Sequence, residues 1–80
     1  MMAQRQYLVV IEPSATGYGA YVPDVPGCIA VGETRAEVEH LIREALEYHI
    51  ELMIENGESV PDSVSEAISV STRLPAVQVG

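Results

Sequence analysis

Cysteine and large aromatic residues are scarce in this chain. Its 80 residues include one cysteine, Cys28, and four tyrosines, but neither tryptophan nor phenylalanine. One cysteine cannot form an internal disulfide, and no Cys/His cluster of the kind that holds a structural metal is present. A chain this short buries only about 60% of the surface that its unfolded form exposes. We therefore expect a single domain, residues 1–80, that forms a dimer or larger homo-oligomer, with Cys28 buried as a small hydrophobic side chain.

Basic side chains are few as well. The cations are four arginines, at positions 5, 35, 43 and 73, against 12 acidic residues, which gives a formal charge of −8. Such a chain repels phosphate backbones, so direct binding to nucleic acid is not expected. The charge suits a basic protein partner, or it serves only to keep a small oligomer soluble.

Long apolar runs are also missing. No stretch approaches the roughly 20 apolar residues that span a bilayer, and the start of the chain lacks the pattern of a signal peptide. We therefore expect a cytoplasmic protein that does not enter a membrane.

A long amphipathic helix is the strongest local prediction. Thr34 and Glu37 have the spacing of a capping box, Thr-x-x-Glu, and Asn56-Gly57 supplies left-handed residues that end a helix. Between them the spacing predicts a helix from Arg35 to Glu55, about 31 Å long. Its apolar stripe consists of Val38, Leu41, Ile42, Ala45, Leu46, His49, Leu52 and Met53.

Three strands are predicted before this helix. Gln6–Ile11 is nearly all apolar, which indicates a strand buried on both faces, and Tyr18–Val22 and Cys28–Val31 are shorter β-type runs. A rigid proline corner joins the second strand to the third. It consists of Pro23, Asp24, Pro26 and Gly27, and we expect Asp24 to cap its own turn by accepting backbone N–H bonds.

The order of elements indicates a two-layer α+β fold. Short turns between consecutive strands favour an antiparallel sheet of three to four strands, with the helix packed on one face. The segment 64–74 could be a helical turn or a strand, and alternation in Ile68–Ser71 favours a strand. Ala76–Val79 is a plausible final edge strand, which completes a β-β-β-α-β order.

No catalytic constellation emerges from the sequence. Two-metal nuclease chemistry needs several carboxylates converging on one face, but Glu12 follows the first strand and Asp24 lies in a turn. His40 and His49 lie about 180° apart around the helix and cannot share a metal. We predict a solvated His40, a core or interface His49, no cofactor or metal, and no enzymatic activity.

The outer face of the predicted helix is acidic. Its carboxylates repel one another at i, i+4 spacing, and only Arg43, flanked by Glu39 and Glu47, offsets this repulsion. Such a face is either a docking surface for a basic protein or an ordinary solvated surface. The candidate partner-binding residues are Glu44, Glu47, Glu51 and Glu55.

From Tyr7 to Pro61 the chain resembles the HicB-like antitoxin family. The resemblance rests on the aromatic strand at Tyr21, the Pro-Asp-Val-Pro-Gly-Cys turn of residues 23–28, and Gly32-Glu-Thr34 opening a long helix. It implies a partial ribonuclease-H-like fold. It also implies an antitoxin that blocks a small, basic, mRNA-cleaving toxin, HicA, by covering its active site.

One departure limits what the resemblance implies. Many family members carry a C-terminal DNA-binding segment, but the sequence after residue 61 has no basic helix. We therefore predict no DNA-binding domain, and a role in transcriptional autoregulation stays an open question. The alternative is an orphan oligomeric scaffold or ligand-binding module whose helices pair through Leu46, His49 and Met53. A third reading, a degenerate nuclease, would depend on Asp24.

Overall fold

The fold is a three-stranded antiparallel sheet covered on one face by a long helix. The computed structural model describes residues 4–76. Its strands are β1 (Val10–Pro13), β2 (Tyr18–Tyr21) and β3 (Ile29–Gly32), and they are followed by the helix α1 (Arg35–Glu55). The strands lie in the sheet in sequence order. This β-β-β-α arrangement confirms the predicted α+β class.

The first strand is shorter and less buried than predicted. It begins at Val10 rather than Gln6, because Val10 pairs with Tyr21, the last residue of β2, and no strand partner lies beyond it. As an edge strand β1 has only one neighbour, so Val10 and Ile11 are half-buried while Glu12 and Pro13 are exposed. The prediction of a strand buried on both faces was therefore wrong.

The proline corner consists of two successive tight turns. The N–H of Val25 donates to the carbonyl of Val22, and the N–H of Cys28 donates to the carbonyl of Val25, both at 3.1 Å. Gly27 has a φ of +87°, in the left-handed region that glycine adopts without a steric penalty. The turns direct Val25 inward, where it is fully buried.

The core lies between the sheet and the helix. Burial raises the pKa of the Cys28 thiol, as expected for a cysteine acting as a small hydrophobic side chain. Partly buried side chains such as Tyr7, Ile11 and Leu46 pack around the core. Its buried members are Ala20, Val22, Val25, Cys28, Val38 and Ile42.

The helix has the predicted bounds, with two differences in its caps. The Oγ1 of Thr34 accepts from the N–H of Glu37 at 3.0 Å, but the Glu37 carboxylate accepts from the N–H of Glu33, one residue before the cap, at 2.7 Å. At the other end only Gly57 is left-handed, with a φ of +72°, whereas Asn56 has a φ of −86°. The N–H groups of Gly57 and Glu58 satisfy the last free carbonyls, which is a Schellman motif.

The segment after the helix forms no helix or strand between residues 58 and 75. Two contacts hold its first part. Tyr7 and Arg5 donate hydrogen bonds to the carbonyl of Pro61, and the Asp24 carboxylate accepts from Val64 and Ser65. Neither the strand nor the helical turn predicted within residues 64–74 is present. The predicted edge strand Ala76–Val79 lies, after Ala76, outside the described residues.

Candidate partner-binding surface

The solvent side of α1 carries the four predicted partner-binding carboxylates. We call Glu44, Glu47, Glu51 and Glu55 the acidic ridge. All four residues are exposed, and residues three or four apart are neighbours on a helix surface, so the ridge forms one continuous stripe. The stripe lies opposite Val38 and Ile42, which face the sheet and are fully buried.

Charge compensation differs between the two halves of the helix. In the first half Glu39 accepts ion pairs from Arg35 at 3.6 Å and from Arg43 at 3.5 Å. At the start of the ridge, Glu44 lies 3.5 Å from the exposed His40 imidazole. Within residues 4–76, no cation lies within ion-pair distance of the three later ridge carboxylates at 47, 51 and 55. Arg43, predicted to offset Glu47 as well, reaches only Glu39.

The helix dipole adds a second electrostatic repulsion at this acidic end of α1. The carboxyl end of a helix carries a partial negative charge, which favours nearby cations and disfavours nearby anions. The last turn of α1 has no basic residue, and it contains Glu55. The later ridge carboxylates therefore repel both one another and the helix end. A basic group from outside the chain would relieve both repulsions.

Exposed apolar side chains lie beside the ridge, which sequence reasoning missed. Tyr48 is 64% exposed and follows Glu44 by four residues, and Leu52, 38% exposed, follows Tyr48 by four. Leu52 was predicted as part of the apolar stripe of the helix, so its exposure is a departure from that prediction. Tyrosine combines a large apolar area with a hydroxyl group and is enriched at protein-binding hot spots. Its place outside the apolar stripe was the signal in the sequence.

The residues considered for helix pairing face the body of the same chain. Leu46 packs against the core, and Met53 is half-buried. The His49 imidazole lies against the proline corner, with its Cε1 3.6 Å from where a side chain on Gly27 would begin. These residues are therefore poorly placed for a helix–helix interface.

Asp24 has a different partner from the one predicted. Its carboxylate accepts from the N–H of Ser65 at 2.9 Å, the hydroxyl of Ser65 at 2.7 Å and the N–H of Val64 at 2.8 Å. These bonds, chiefly that from the Ser65 backbone, lower the pKa of Asp24 below its ordinary value. The carboxylate thus fastens a segment 40 residues away instead of capping its own turn.

A groove beside β1 collects three of the arginines. Arg5, Arg35 and Arg43 border a groove of about 570 Å³ between β1 and the helix, but Glu39 already pairs with two of them. In residues 4–76 no three His, Cys, Asp or Glu side chains are grouped so as to hold a metal ion. No described helix is long and apolar enough to cross a membrane.

Comparison with known protein families identifies relatives over most of the chain. A family model described as the HicB_like antitoxin of bacterial toxin-antitoxin systems matches residues 7–76. A solved HicA3 and HicB3 toxin-antitoxin complex contains a chain that superposes with a TM-score of 0.65 at 30% identity, covering 75% of this chain and 70% of that one.

Two curated proteins are similar in sequence, and neither name states a function. An uncharacterized 14.9 kDa protein of Haemophilus phage HP1 is 44% identical over 57 residues, which are 71% of this chain but only 43% of the phage protein. The UPF0150 protein Ta0767 of Thermoplasma acidophilum is 35% identical over 66 residues, covering 81% of this chain and 96% of that protein.

Proposed function

This chain belongs to the HicB-like antitoxin family of bacterial toxin–antitoxin systems, and we propose that it neutralises a small, basic, mRNA-cleaving toxin of the HicA type by binding it. The similarity to a chain of the HicA3–HicB3 complex supports an antitoxin role. The proposal extends this role to a specific target and a specific surface.

The observation that carries the proposal is the uncompensated half of the acidic ridge. Within the described residues, Glu47, Glu51 and Glu55 have no cationic partner, and they lie at the end of the helix where negative charge is least favourable. Lysine or arginine side chains of a basic toxin would replace this repulsion by attraction and would accelerate the encounter.

The exposed apolar side chains complete the proposed interface. Tyr48 and Leu52 lie beside the carboxylates, so a partner that neutralises the ridge also covers an aromatic anchor. Hot spots typically combine a buried aromatic side chain with a surrounding polar rim. In this arrangement the acids steer the toxin and Tyr48 supplies the apolar contact.

Neutralisation of this kind requires no chemistry from the antitoxin. We propose that the chain acts without a cofactor and has no enzymatic activity, since occlusion needs only a complementary surface. We also propose that it does not bind nucleic acid directly, because its charge opposes a phosphate backbone. Its site of action would be the cytoplasm, where a toxin that cleaves mRNA finds its substrate.

A matched pair of triple variants tests the proposed surface. The ridge variant is Glu47→Gln, Glu51→Gln and Glu55→Gln, and the control changes exposed acids elsewhere, Glu12→Gln, Glu58→Gln and Glu66→Gln, with the same change in net charge. Titration calorimetry against the HicA-type toxin of the same host should show that the ridge variant binds at least about tenfold more weakly at low salt, because it lacks the local attraction. The control should change affinity by less than about threefold.

Folding stability makes the same test sharper. Removing like charges at i, i+4 and at the helix end should raise the free energy of unfolding of the ridge variant by roughly 0.5–1 kcal/mol. Weaker toxin binding by a more stable protein cannot be explained by unfolding. Equal losses of affinity in both variants would contradict a role for the ridge. The absence of wild-type binding and of inhibition of mRNA cleavage would favour an orphan scaffold instead.

A further inference from the structure

Three of the four arginines of this chain line the groove between β1 and the helix. Arg5 borders it from the segment before β1, and Arg35 and Arg43 border it from α1. Of the described residues that line it, Glu39 is the one acid, although the chain has 12 acidic residues. The groove therefore concentrates positive charge on a molecule whose formal charge is −8.

The floor of the groove is apolar. Tyr7, Val9 and Ile11 line it from every second position of the chain, and all three side chains are half-buried. Leu46 lines it from the helix and is half-buried as well. The volume of about 570 Å³ lies within the range of small-molecule sites, roughly 300–1,000 Å³. A ligand with an apolar part would cover this floor.

Glu39 holds the two helical arginines beside each other. Its carboxylate lies 3.6 Å from Nη1 of Arg35 and 3.5 Å from Nη2 of Arg43. A guanidinium group has five N–H donors, so within the described part of the chain one contact with Glu39 leaves each arginine further donors. The two arginine side chains are 66% and 71% exposed, so a second carboxylate can reach them.

Arg35 lies where the helix itself disfavours a cation. It is the first residue of α1, and the amino end of a helix has a partial positive charge that favours anions. In its pair with Glu39 the arginine precedes the acid, which is the weaker of the two i, i+4 orientations. Helix stability therefore does not account for an arginine at this position. An anion bound in the groove would offset the repulsion.

Arg5 is held on the other side of the groove. Its Nη1 donates to the carbonyl of Pro61 at 2.8 Å and lies 3.8 Å from the carboxylate of Asp62, which is 87% exposed. An ion pair this exposed is weak, because water and salt screen it. The carbonyl contact therefore positions Arg5 and leaves most of its positive charge available to a ligand.

The charges and the floor together select the class of ligand. One carboxylate can pair with an arginine through two parallel hydrogen bonds, whereas Glu39 would repel any further negative charge on the same ligand. The apolar floor requires a hydrocarbon part, which inorganic phosphate lacks. A polyanion such as a nucleic acid would also be repelled by the rest of this acidic chain.

We propose that the groove binds a small organic acid with one carboxylate and an apolar tail. The carboxylate pairs with Arg35 and Arg43, and the tail lies on the apolar floor. Leu46, on the floor, is six residues from Leu52, which places the two about 120° apart around the helix. The ligand site is therefore on a different flank of α1 from the proposed toxin contact, and either proposal can fail without the other.

Titration of the full chain with sodium octanoate, followed by ¹H–¹⁵N NMR, tests the proposal. The amide shifts should concentrate on residues 7–11 and 35–46, which line the groove. Arg35→Gln and Arg43→Gln should each weaken octanoate binding by about fivefold or more, because each removes a charged hydrogen-bond donor. Arg73→Gln makes the same change in net charge outside the groove, and this control should change binding by less than about 1.5-fold.

A series of probes separates the carboxylate from the tail. Decanoate should bind about threefold to tenfold more tightly than octanoate, because two more CH₂ groups are buried. Acetate has the charge without the tail, and 1-octanol has the tail without the charge. Both should bind at least about tenfold more weakly than octanoate. Circular dichroism should show unchanged helix in the arginine variants, so that weaker binding is not a result of unfolding.

Four results would overturn the proposal. Equal weakening in Arg43→Gln and Arg73→Gln would show attraction by net charge alone. If 1-octanol bound as tightly as octanoate, the arginines would not recognise the carboxylate. Shifts centred on the exposed Ile29 and Val31 of β3 would place the apolar contact elsewhere. The absence of shifts in a large excess of octanoate and decanoate would show that the groove binds no such acid.

Discussion

Two parts of this chain have the same alternation of apolar and polar residues but differ in whether their apolar side chains are buried. In Tyr18–Val22 every second side chain turns toward the helix, and Ala20 and Val22 are buried. In residues 66–75, the C-terminal segment, Ile68 and Val70 alternate in the same way but are exposed to solvent. The difference is the presence of a helix and two neighbouring strands around the first stretch. Alternation therefore shows that a strand can form, whereas burial depends on a surface within reach.

Replacing isoleucine by alanine in each part should give the largest difference in the free energy of unfolding. Ile42→Ala removes a fully buried side chain between sheet and helix, and we expect it to lower the free energy of unfolding by about 3 kcal/mol. Ile68→Ala should lower it by less than about 0.5 kcal/mol in dilute monomer. Urea denaturation followed by circular dichroism measures both. Similar losses would mean that the C-terminal segment belongs to the folded core.

A second pair of substitutions examines how closely the backbone packs around two glycines, one before β2 and one within it. A methyl group on Gly17 would collide with the backbone carbonyl of Gly32, whereas Gly19 has open space around it. We expect Gly17→Ala to cost about 1–3 kcal/mol through backbone displacement. Gly19→Ala should be neutral or stabilise by up to about 1 kcal/mol, because alanine loses less chain entropy. Thermal unfolding of the two variants gives the comparison directly, and equal melting temperatures would contradict it.

The smallest effect on folding is expected where the two parts are joined. Asp24→Asn replaces a carboxylate that accepts three hydrogen bonds from Val64 and Ser65. The amides of both residues should exchange with solvent faster, while the core amides exchange as in the wild type. Hydrogen exchange monitored by NMR resolves the two groups of amides. An unchanged rate at Ser65 would mean that this carboxylate does not fasten the segment.

Protonation of Asp24 at low pH should have the same effect on these amides in the wild type. The pKa of Asp24 is lower in the folded chain than in the unfolded chain, where it is about 3.9. The contribution of its carboxylate is therefore complete above that unfolded value, and it is lost as the pH falls through the lower folded value. The Asn variant should lack this pH dependence at Ser65, which makes it the control.

Local signals were sufficient where the determining groups are close in sequence. The helix from Arg35 to Glu55 was predicted because Thr34 and Gly57 act on backbone groups within a turn of themselves. The acidic ridge followed from carboxylates spaced three or four residues apart on the predicted helix. The place of Tyr48 outside the apolar stripe likewise follows from the helical period.

Contacts between residues far apart in the sequence could not be predicted from local signals. The start of β1 depends on where β2 ends, and Asp24 finds its partners 40 residues away, on Val64 and Ser65. Nothing within a few residues of Asp24 distinguishes these partners from its own turn.

Because Cys28 is buried, the rate at which its thiol is labelled can report transient opening of the core. Its thiol is enclosed by the core and its pKa is raised, so it is held in the form that alkylating reagents attack slowly. A reagent in excess would modify it only when the helix lifts from the sheet. The rate of labelling would then report how often the sheet–helix layer opens, with no probe added to the chain. A thiol introduced on the surface would react first and could carry a dye selectively.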